Sequence, residues 1–383
     1  LPYRYLDWAA SAPPYDDIIA ESCRLSANHY GNPASHHQPG NQARTILDAS
    51  RVHLARTLDT KPAAIHFTSG GTEADHIIML SVLLRKAPAG IIISGIEHAA
   101  VYEQARMLGK LGVPVQIVPP DADGFIRADA VAGRMDEHTA LVSIMAVNNE
   151  TGAIQPLADI AKAVNEACAK RRPVLLHSDA VQALGKTTFT LKQCGFAAAS
   201  ISGHKIGAPR GIGALLLEAP LAVLAAGGGQ ENAIRPGTPN IAGAWALAEA
   251  ASRSVQTFTE QHGQARLLES RLIDGLLSIP DVMILPASRT AGDNRFSPNI
   301  ISATFPGLGG ETMTRLLDDA GFAVATGSAC SSAHKERRIL DAMGLARELS
   351  FSAIRISTGR STTCDDIDAF LDRASALYQR YRT

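Results

Sequence analysis

The chain has 383 residues, 46% of them hydrophobic and 19% charged, with a formal net charge of −1 at pH 7. That length allows one large domain with a smaller partner, and the apolar content is ample for a sizeable core. The near-zero charge removes the electrostatic case for direct nucleic-acid binding or attachment to an anionic membrane, and no stretch supplies the roughly 20 uninterrupted apolar residues of a spanning helix.

The opening LPYRYLDWAA begins without Met, as in a trimmed chain, and lacks the basic, apolar, small-residue order of a secretory signal. From about residue 60, short apolar runs alternate with helix-like segments, the pattern of a mostly parallel sheet covered by helices. Strands are predicted at 91–94, 115–118, 140–147, 174–177, 198–202 and 213–217. Helices are predicted near 73–86, 98–110, 127–136 and 157–170. In the last of these, Ile160, Val164 and Cys168 recur every four residues on one helical face, which places Cys168 in the core. After GGGQENAIRPGTPN the pattern becomes a long helical stretch over 241–279. A second α/β section follows: NIISATF, a helix over 310–320, FAVAT, a helix over 335–343, AIRIS and a terminal helix. Thr363-Cys364-Asp365-Asp366 reads as that helix's capping box, with Asp366 in the acidic third position. The domain boundary is set in the long helical stretch. Residues 15–255 are assigned to a large domain, and residues 1–14 with 256–383 to a small α/β domain.

Cys23, Cys168, Cys194, Cys330 and Cys364 are odd in number and scattered, without a C-x-x-C pair. Neither a disulfide framework nor a structural zinc site is expected, and a reducing cytoplasm is the expected compartment.

Several glycine-punctuated turns carry polar residues at strand ends. In FTSGGTEADH, Gly70 and Gly71 permit close backbone approach, and Thr72 opens a helix whose first amides favour an anion. The same pattern also occurs at ordinary helix starts, and it is no P-loop, since no Gly-Lys-Ser/Thr follows. Asp179 in HSDAVQ sits just past the strand VLLH, where open α/β sheets bind ligands, although Asp is also a favoured N-cap. In SISGHKIGAPRG, Lys205 follows a strand that reads as buried. An acid, a lysine and a phosphate cradle on one sheet edge point to pyridoxal phosphate (PLP), with the lysine as Schiff base and the acid on the pyridinium nitrogen.

Ten segments in order, YLDWAASAPP, GNPAS, FTSGGTE, EHAAV, VNNETG, HSDAVQ, SGHK, RPGT, GSACSS and IRISTGR, span nearly the whole chain. Together they resemble the cysteine desulfurases of the class V aminotransferase group, the iron–sulfur-cluster and nitrogen-fixation type, within PLP fold type I. The resemblance implies a large domain with a mostly parallel mixed sheet and a smaller C-terminal α/β domain. It implies that Lys205 carries PLP, that Asp179 pairs with the ring nitrogen, and that His98 stacks on the ring and shuttles protons. Asn149 and Gln182 match residues that bond the ring's phenolic oxygen. Gly71, Thr72, Ser202 and His204 match the phosphate cradle, and Thr238 in RPGT matches a phosphate contact given by the other subunit of a homodimer. Arg355 resembles the arginine that forks onto the substrate carboxylate, a task suited to a planar bidentate donor, with Asn32 in support. Arg360 in the same motif is left as structural.

Cys330 follows Gly-Ser-Ala and precedes Lys335, Arg337 and Arg338, surroundings that expose a thiol and lower its pKa. By the resemblance, Cys330 takes the sulfur of PLP-bound L-cysteine, leaving L-alanine and a persulfide for a protein acceptor, such as one in iron–sulfur cluster assembly. Its resting thiol is expected beyond direct contact with the cofactor carbon joined to Lys205. Two positions depart from the family pattern: Val181 stands where a polar residue is common, and KIGAPRG replaces a tyrosine-containing version. The end at YQRYRT also lacks the longer tail with which some relatives dock a scaffold, so that docking mode is not expected. Selenocysteine lyase and aminotransferase are the rival activities. Cys330 argues against an aminotransferase, which needs no thiol there. A non-catalytic subunit of the same fold is disfavoured by Lys205, Asp179, His98, Cys330 and Arg355 occurring together.

Overall fold

The computed structural model describes residues 3–85, 89–169, 173–327 and 337–382. Cys330 and its Ser-Ala and Ser-Ser neighbours therefore lie outside the described residues. The first section of the chain comprises β1 (Arg4–Tyr5), α1 (Asp16–Asn28), α2 (Gln38–Thr57), β2 (Ile65–Thr68), α3 (Gly71–Leu80), β3 (Gly90–Ser94), α4 (Ala99–Lys110) and β4 (Val115–Val118). It continues through α5 (Ala128–Ala132), β5 (Thr139–Ser143), α6 (Leu157–Ala167), β6 (Leu175–Asp179), α7 (Leu191–Cys194), β7 (Ala198–Ser202), β8 (Gly213–Leu217) and α8 (Ile241–Gln256). The remainder comprises α9 (Phe258–Leu277), β9 (Met283–Leu285), β10 (Ile300–Thr304), α10 (Gly310–Asp319) and β11 (Phe322–Ala323). It ends with α11 (Arg338–Ala342), α12 (Arg347–Phe351), β12 (Ala353–Ser357) and α13 (Cys364–Tyr381).

The main sheet has the order β2-β8-β7-β6-β5-β3-β4. Only β8 runs against its neighbours; the ladders from β7 through β4 are all parallel. Its strands alternate between two buried faces, as the two-residue period of a strand requires. Ile91, Ile93, Leu141 and Leu215 pack with Ile78 of α3 and Leu108 of α4. Ile92, Val142, Leu176 and Ile201 face the other way, onto Leu54 of α2, Ile160 of α6 and Leu247 of α8. Each such side chain contributes on the order of 1.5–3 kcal/mol by leaving water. The small residues Ala244, Ala248 and Ala251 of α8 are fully buried, which lets that helix lie close against its neighbours.

A second core forms on the antiparallel sheet β12-β10-β9, where Leu272, Phe305, Phe370 and Tyr378 pack together. Leu6 is buried in this core, and β1 pairs in parallel with β11. Its interior also holds Arg289, whose Nη2 donates to Glu269 Oε1 at 2.7 Å, while Arg266 donates to the other carboxylate oxygen. The capping box at Thr363 and Asp366 is formed in both directions.

The boundaries differ from the sequence reading at identifiable points. The long helix over 241–279 breaks at Thr257, whose hydroxyl bonds the Arg253 carbonyl at 2.8 Å and whose backbone leaves the helical region. The apolar run 140–147 is a strand only through Ser143; beyond it Met145 lines the cavity, while Ile144, Ala146 and Val147 are buried in the main core. Cys168 is the half-buried C-cap of α6, packed at the edge of the core rather than within it. No described helix is long and apolar enough to cross a membrane.

Candidate active site

Five parallel strand directions end at one edge of the main sheet, and each delivers polar groups there. The turn after β2 leads through Gly70 to the first amides of α3. Beyond β3 come Glu97 and His98, the latter capping α4, and beyond β5 comes Asn149. β6 ends on Asp179, and β7 ends on Ser202, followed by a single 3₁₀ turn through His204 and Lys205. The carboxyl edge of an open parallel sheet is where such folds bind ligands.

Most of these groups line a cavity of about 240 Å³. Gly71, Thr72, His98, Asn149, Asp179, Gln182, Ser202, His204, Lys205 and Arg355 all form its walls, as do Ala9 and Ala10 from the N-terminal segment. Ten of the residues singled out from sequence are thus brought together. Asn32 and Thr238 are not among the lining residues; both are exposed, and Asn32 uses its side chain to accept from the Ala34 amide. Cys330 lies outside the described residues.

Lys205 Nζ donates to the carbonyls of Ala9 at 2.7 Å and Ala10 at 2.9 Å. His98 Nδ1 accepts from the Ala100 amide at 3.2 Å, so in the neutral ring the proton sits on Nε2. Burial pushes this imidazole below its ordinary value, against the opposing pull of Asp179, which keeps the ring neutral near pH 7. Arg355, only 2% exposed, gives one terminal nitrogen to the Asn149 carbonyl at 2.9 Å and the other to Asp7 Oδ1 at 2.7 Å. Two N–H groups of its terminal nitrogens and the Nε proton remain for a ligand.

The model of the family described as aminotransferase class-V matches residues 4–370. The chain is 37% identical to "Cysteine desulfurase IscS" of Pectobacterium atrosepticum over 390 aligned residues, 99% of this chain and 93% of that one. A solved structure titled "NIFS-LIKE PROTEIN" superposes with a TM-score of 0.90 at 33% identity, covering 99% of this chain and all of the other. Another, titled "SspA in complex with cysteine", gives a TM-score of 0.78 at 26% identity over 94% of this chain and all of that one. The chain belongs to the class-V aminotransferase family, among its cysteine desulfurases. Its cofactor is pyridoxal phosphate.

The class-V cavity fits that cofactor. Asn149 Oδ1 and Arg355 Nε are buried without a hydrogen-bond partner among the described residues, so the walls retain unspent polar capacity. At Gly71 a methyl group would lie 2.6 Å from Val181 Cγ2, so glycine leaves room that any side chain would take. The ten-residue α3 directs its first amides into the same corner, a favourable end for a phosphate. His204, pushed down to about 4 by burial and by Lys205, is neutral at pH 7 and offers a phosphate a hydrogen bond rather than a charge.

Sequence reasoning missed three contributors. Asp75 lines the cavity with Asp179, and burial, reinforced by the charge of Asp179, raises its carboxyl well above the usual range. Its position one helical turn beyond Gly71 was a usable signal. Glu97, also wholly buried and raised to about 8 by burial, accepts from the Met145 amide at 2.8 Å and ties the ends of β3 and β5 together. Lys186, four residues after Gln182, is the third.

Proposed function

We propose that this protein is an L-cysteine desulfurase working as a homodimer in the cytoplasm, which removes sulfur from L-cysteine and passes it to a protein acceptor, as in iron–sulfur cluster assembly. The observation that carries the reading is the convergence of Lys205, Asp179, His98 and Arg355 on one cavity, in a chain matched end to end by cysteine desulfurases. Lys205 would hold the cofactor covalently, and Asp179 would keep a proton on its ring nitrogen. When bound, pyridoxal phosphate supplies an electron sink for the bonds at the substrate's α-carbon. Gln182 would donate to the phenolic oxygen, and Asn149 would hydrogen-bond it as well. Gly71, Thr72, Ser202 and His204 would enclose the phosphate, joined by Thr238 from the other subunit; the exposure of Thr238 on its own chain supports a role across an interface.

For the reaction itself, His98 presents Nε2–H toward the cavity and can give and regain a proton there. Arg355 holds the substrate carboxylate, and Lys205, once exchanged for the substrate amine, is placed to move the α-proton. The Cβ–S bond of cysteine breaks, its sulfur joins the sulfur of Cys330, and the carbon left behind takes up a proton. Cysteine and a thiol thereby become alanine and a persulfide, with no outside oxidant.

Incubation of the cofactor-loaded protein with L-cysteine should produce alanine without an added keto acid, one per sulfur delivered to an acceptor or thiol. An aminotransferase would need the keto acid. Preferential turnover of selenocysteine over cysteine would instead make the chain a selenocysteine lyase.

Arg355→Lys should raise KM for cysteine by about 10- to 100-fold, the loss of a charge-assisted hydrogen bond of roughly 1.5–3 kcal/mol. The lysine keeps a cation beside Asp7, so folding should be little affected. Steady-state kinetics check this; an unchanged KM would place carboxylate recognition elsewhere.

A further inference from the structure

Lys186 has no role in the reading above, yet it is an amine-bearing side chain set behind the cavity wall without an acid partner among the described residues. It lines a second cavity of about 60 Å³, which Lys205 also borders, so the two cavities share one wall. The groups that face it are Lys205, Arg355 and His204 on the cofactor side, and Tyr15, His262 and Arg360 around the second cavity. No carboxylate is among the described residues lining that space. Burial pushes its amine down to about 7, and the charges of Lys205 and Arg355 push the same way.

Its side-chain hydrogen bond points to a role. Lys186 Nζ donates to Gln182 Oε1 at 2.8 Å, while Gln182 Nε2 donates to the Ala9 carbonyl at 2.8 Å. In its charged form Lys186 can only donate, and a backbone carbonyl can only accept, so both neighbours then favour the same orientation of the Gln182 amide. Its NH₂ must face the side where Lys205 bonds the same carbonyl. Without Lys186 the Ala9 carbonyl alone would hold that orientation, and the amide would be less firmly fixed.

We infer that Lys186 is a positioning residue: it fixes Gln182 with its NH₂ toward the cofactor's phenolic oxygen and adds a positive charge behind that contact. The inference rests on the pyridoxal phosphate reading. A donor on the phenolic oxygen and a nearby cation both disfavour the proton shared between that oxygen and the nitrogen of Lys205. Both therefore hold down the pH at which the bound chromophore loses that proton.

The test is a spectroscopic pH titration of the cofactor-loaded protein. Lys186→Met keeps the aliphatic stem, removes the charge and removes one of the two restraints on the amide, and both changes act in one direction. The chromophore midpoint should rise by about one pH unit. Lys186→Arg, which retains donor and charge, should restore most of the wild-type midpoint. In a Gln182→Ala background, Lys186→Met should shift the midpoint by clearly less, because the amide it orients is gone. Should the methionine variant fail to fold, Lys186→Gln serves instead; it keeps a donor for Gln182 but no charge, and should give a smaller rise. An unchanged midpoint in a folded Met or Gln variant overturns the inference, and an undiminished shift in the Gln182→Ala background overturns the route through Gln182. Failure of the wild-type protein to bind pyridoxal phosphate at all would strike the functional reading instead.

Discussion

Lys205→Ala should abolish turnover, with kcat falling on the order of 10³ or more, and should leave the protein unable to hold its cofactor covalently. Two lysines flank this wall, and chemistry alone would not choose between them. Lys186, its amine lowered to about 7, is present in part as the free base and could also act as a nucleophile. Geometry decides for Lys205, which borders the large cavity with Asp179 and His98, whereas Lys186 borders only the smaller one. Borohydride reduction of the loaded wild-type enzyme should fix the cofactor to Lys205, as peptide mapping will read out. Attachment to Lys186 would reverse the assignment. The substitution also has a signature without cofactor. Lys205 depresses both His204 and Lys186, so its removal should raise the His204 titration midpoint, measurable by NMR. A folded variant with that shift and no covalent chromophore separates lost chemistry from lost structure.

The parts of the site legible in the sequence were those placed by strand ends. Asp179 and Ser202 terminate strands whose apolar runs are unmistakable, and Gly71 announces a close approach. Residues placed by longer-range packing were not legible. The carbonyls of Ala9 and Ala10 hold Lys205 from nearly two hundred residues away, and no local pattern marks them. Lys186 reads as one more surface lysine until the atom on its other side is known to be Gln182.

The same division runs through the fold. α2 buries Gly40, Ala43, Leu47, Ser50 and Leu54, a regular three-and-four spacing. Two of those five are glycine and serine, so the stripe does not read as apolar, although the geometry is that of an ordinary packed helix. β2 is four residues long and includes a buried histidine, His66, bonded to the Glu231 carbonyl at 3.0 Å. Its strand character comes from pairing with β8 rather than from its own composition. Conversely, Ile144–Val147 look like strand because they are apolar, and the Ile144 and Ala146 amides still bond the His177 and Asp179 carbonyls of β6, while the Met145 amide bonds the Glu97 carboxylate.

Cys330→Ser should still bind pyridoxal phosphate through Lys205 and bind cysteine, yet lose alanine formation by on the order of 10³-fold or more. The step needs a nucleophile that joins sulfur to sulfur. A serine hydroxyl is not ionised near neutral pH and would have to form a weak sulfur–oxygen bond, whereas a thiol of pKa about 8.5 is already partly thiolate. The neighbourhood bears on this through residues that are described. Arg337 and Arg338 direct their side chains to backbone carbonyls, Arg337 to Ala353 and Arg338 to Gly95 and Glu97, the latter adjoining His98. Upstream, Ala325 bonds Arg355 through both backbone groups, and Gly327 lies against the carboxylate of Glu150, next to Asn149. The chain thus leaves and re-enters the described structure beside cavity residues. Cys330 follows Gly327 by three residues, a reach of about 10 Å at most. The competing thiols are less suited: Cys194 is buried and its pKa is raised by that burial, and none of the four described cysteines lines the cavity. After one turnover without acceptor, mass spectrometry of the wild-type protein should find added sulfur on Cys330. Sulfur found only on Cys23, Cys168, Cys194 or Cys364, or full alanine production by the serine variant, would remove Cys330 from the mechanism.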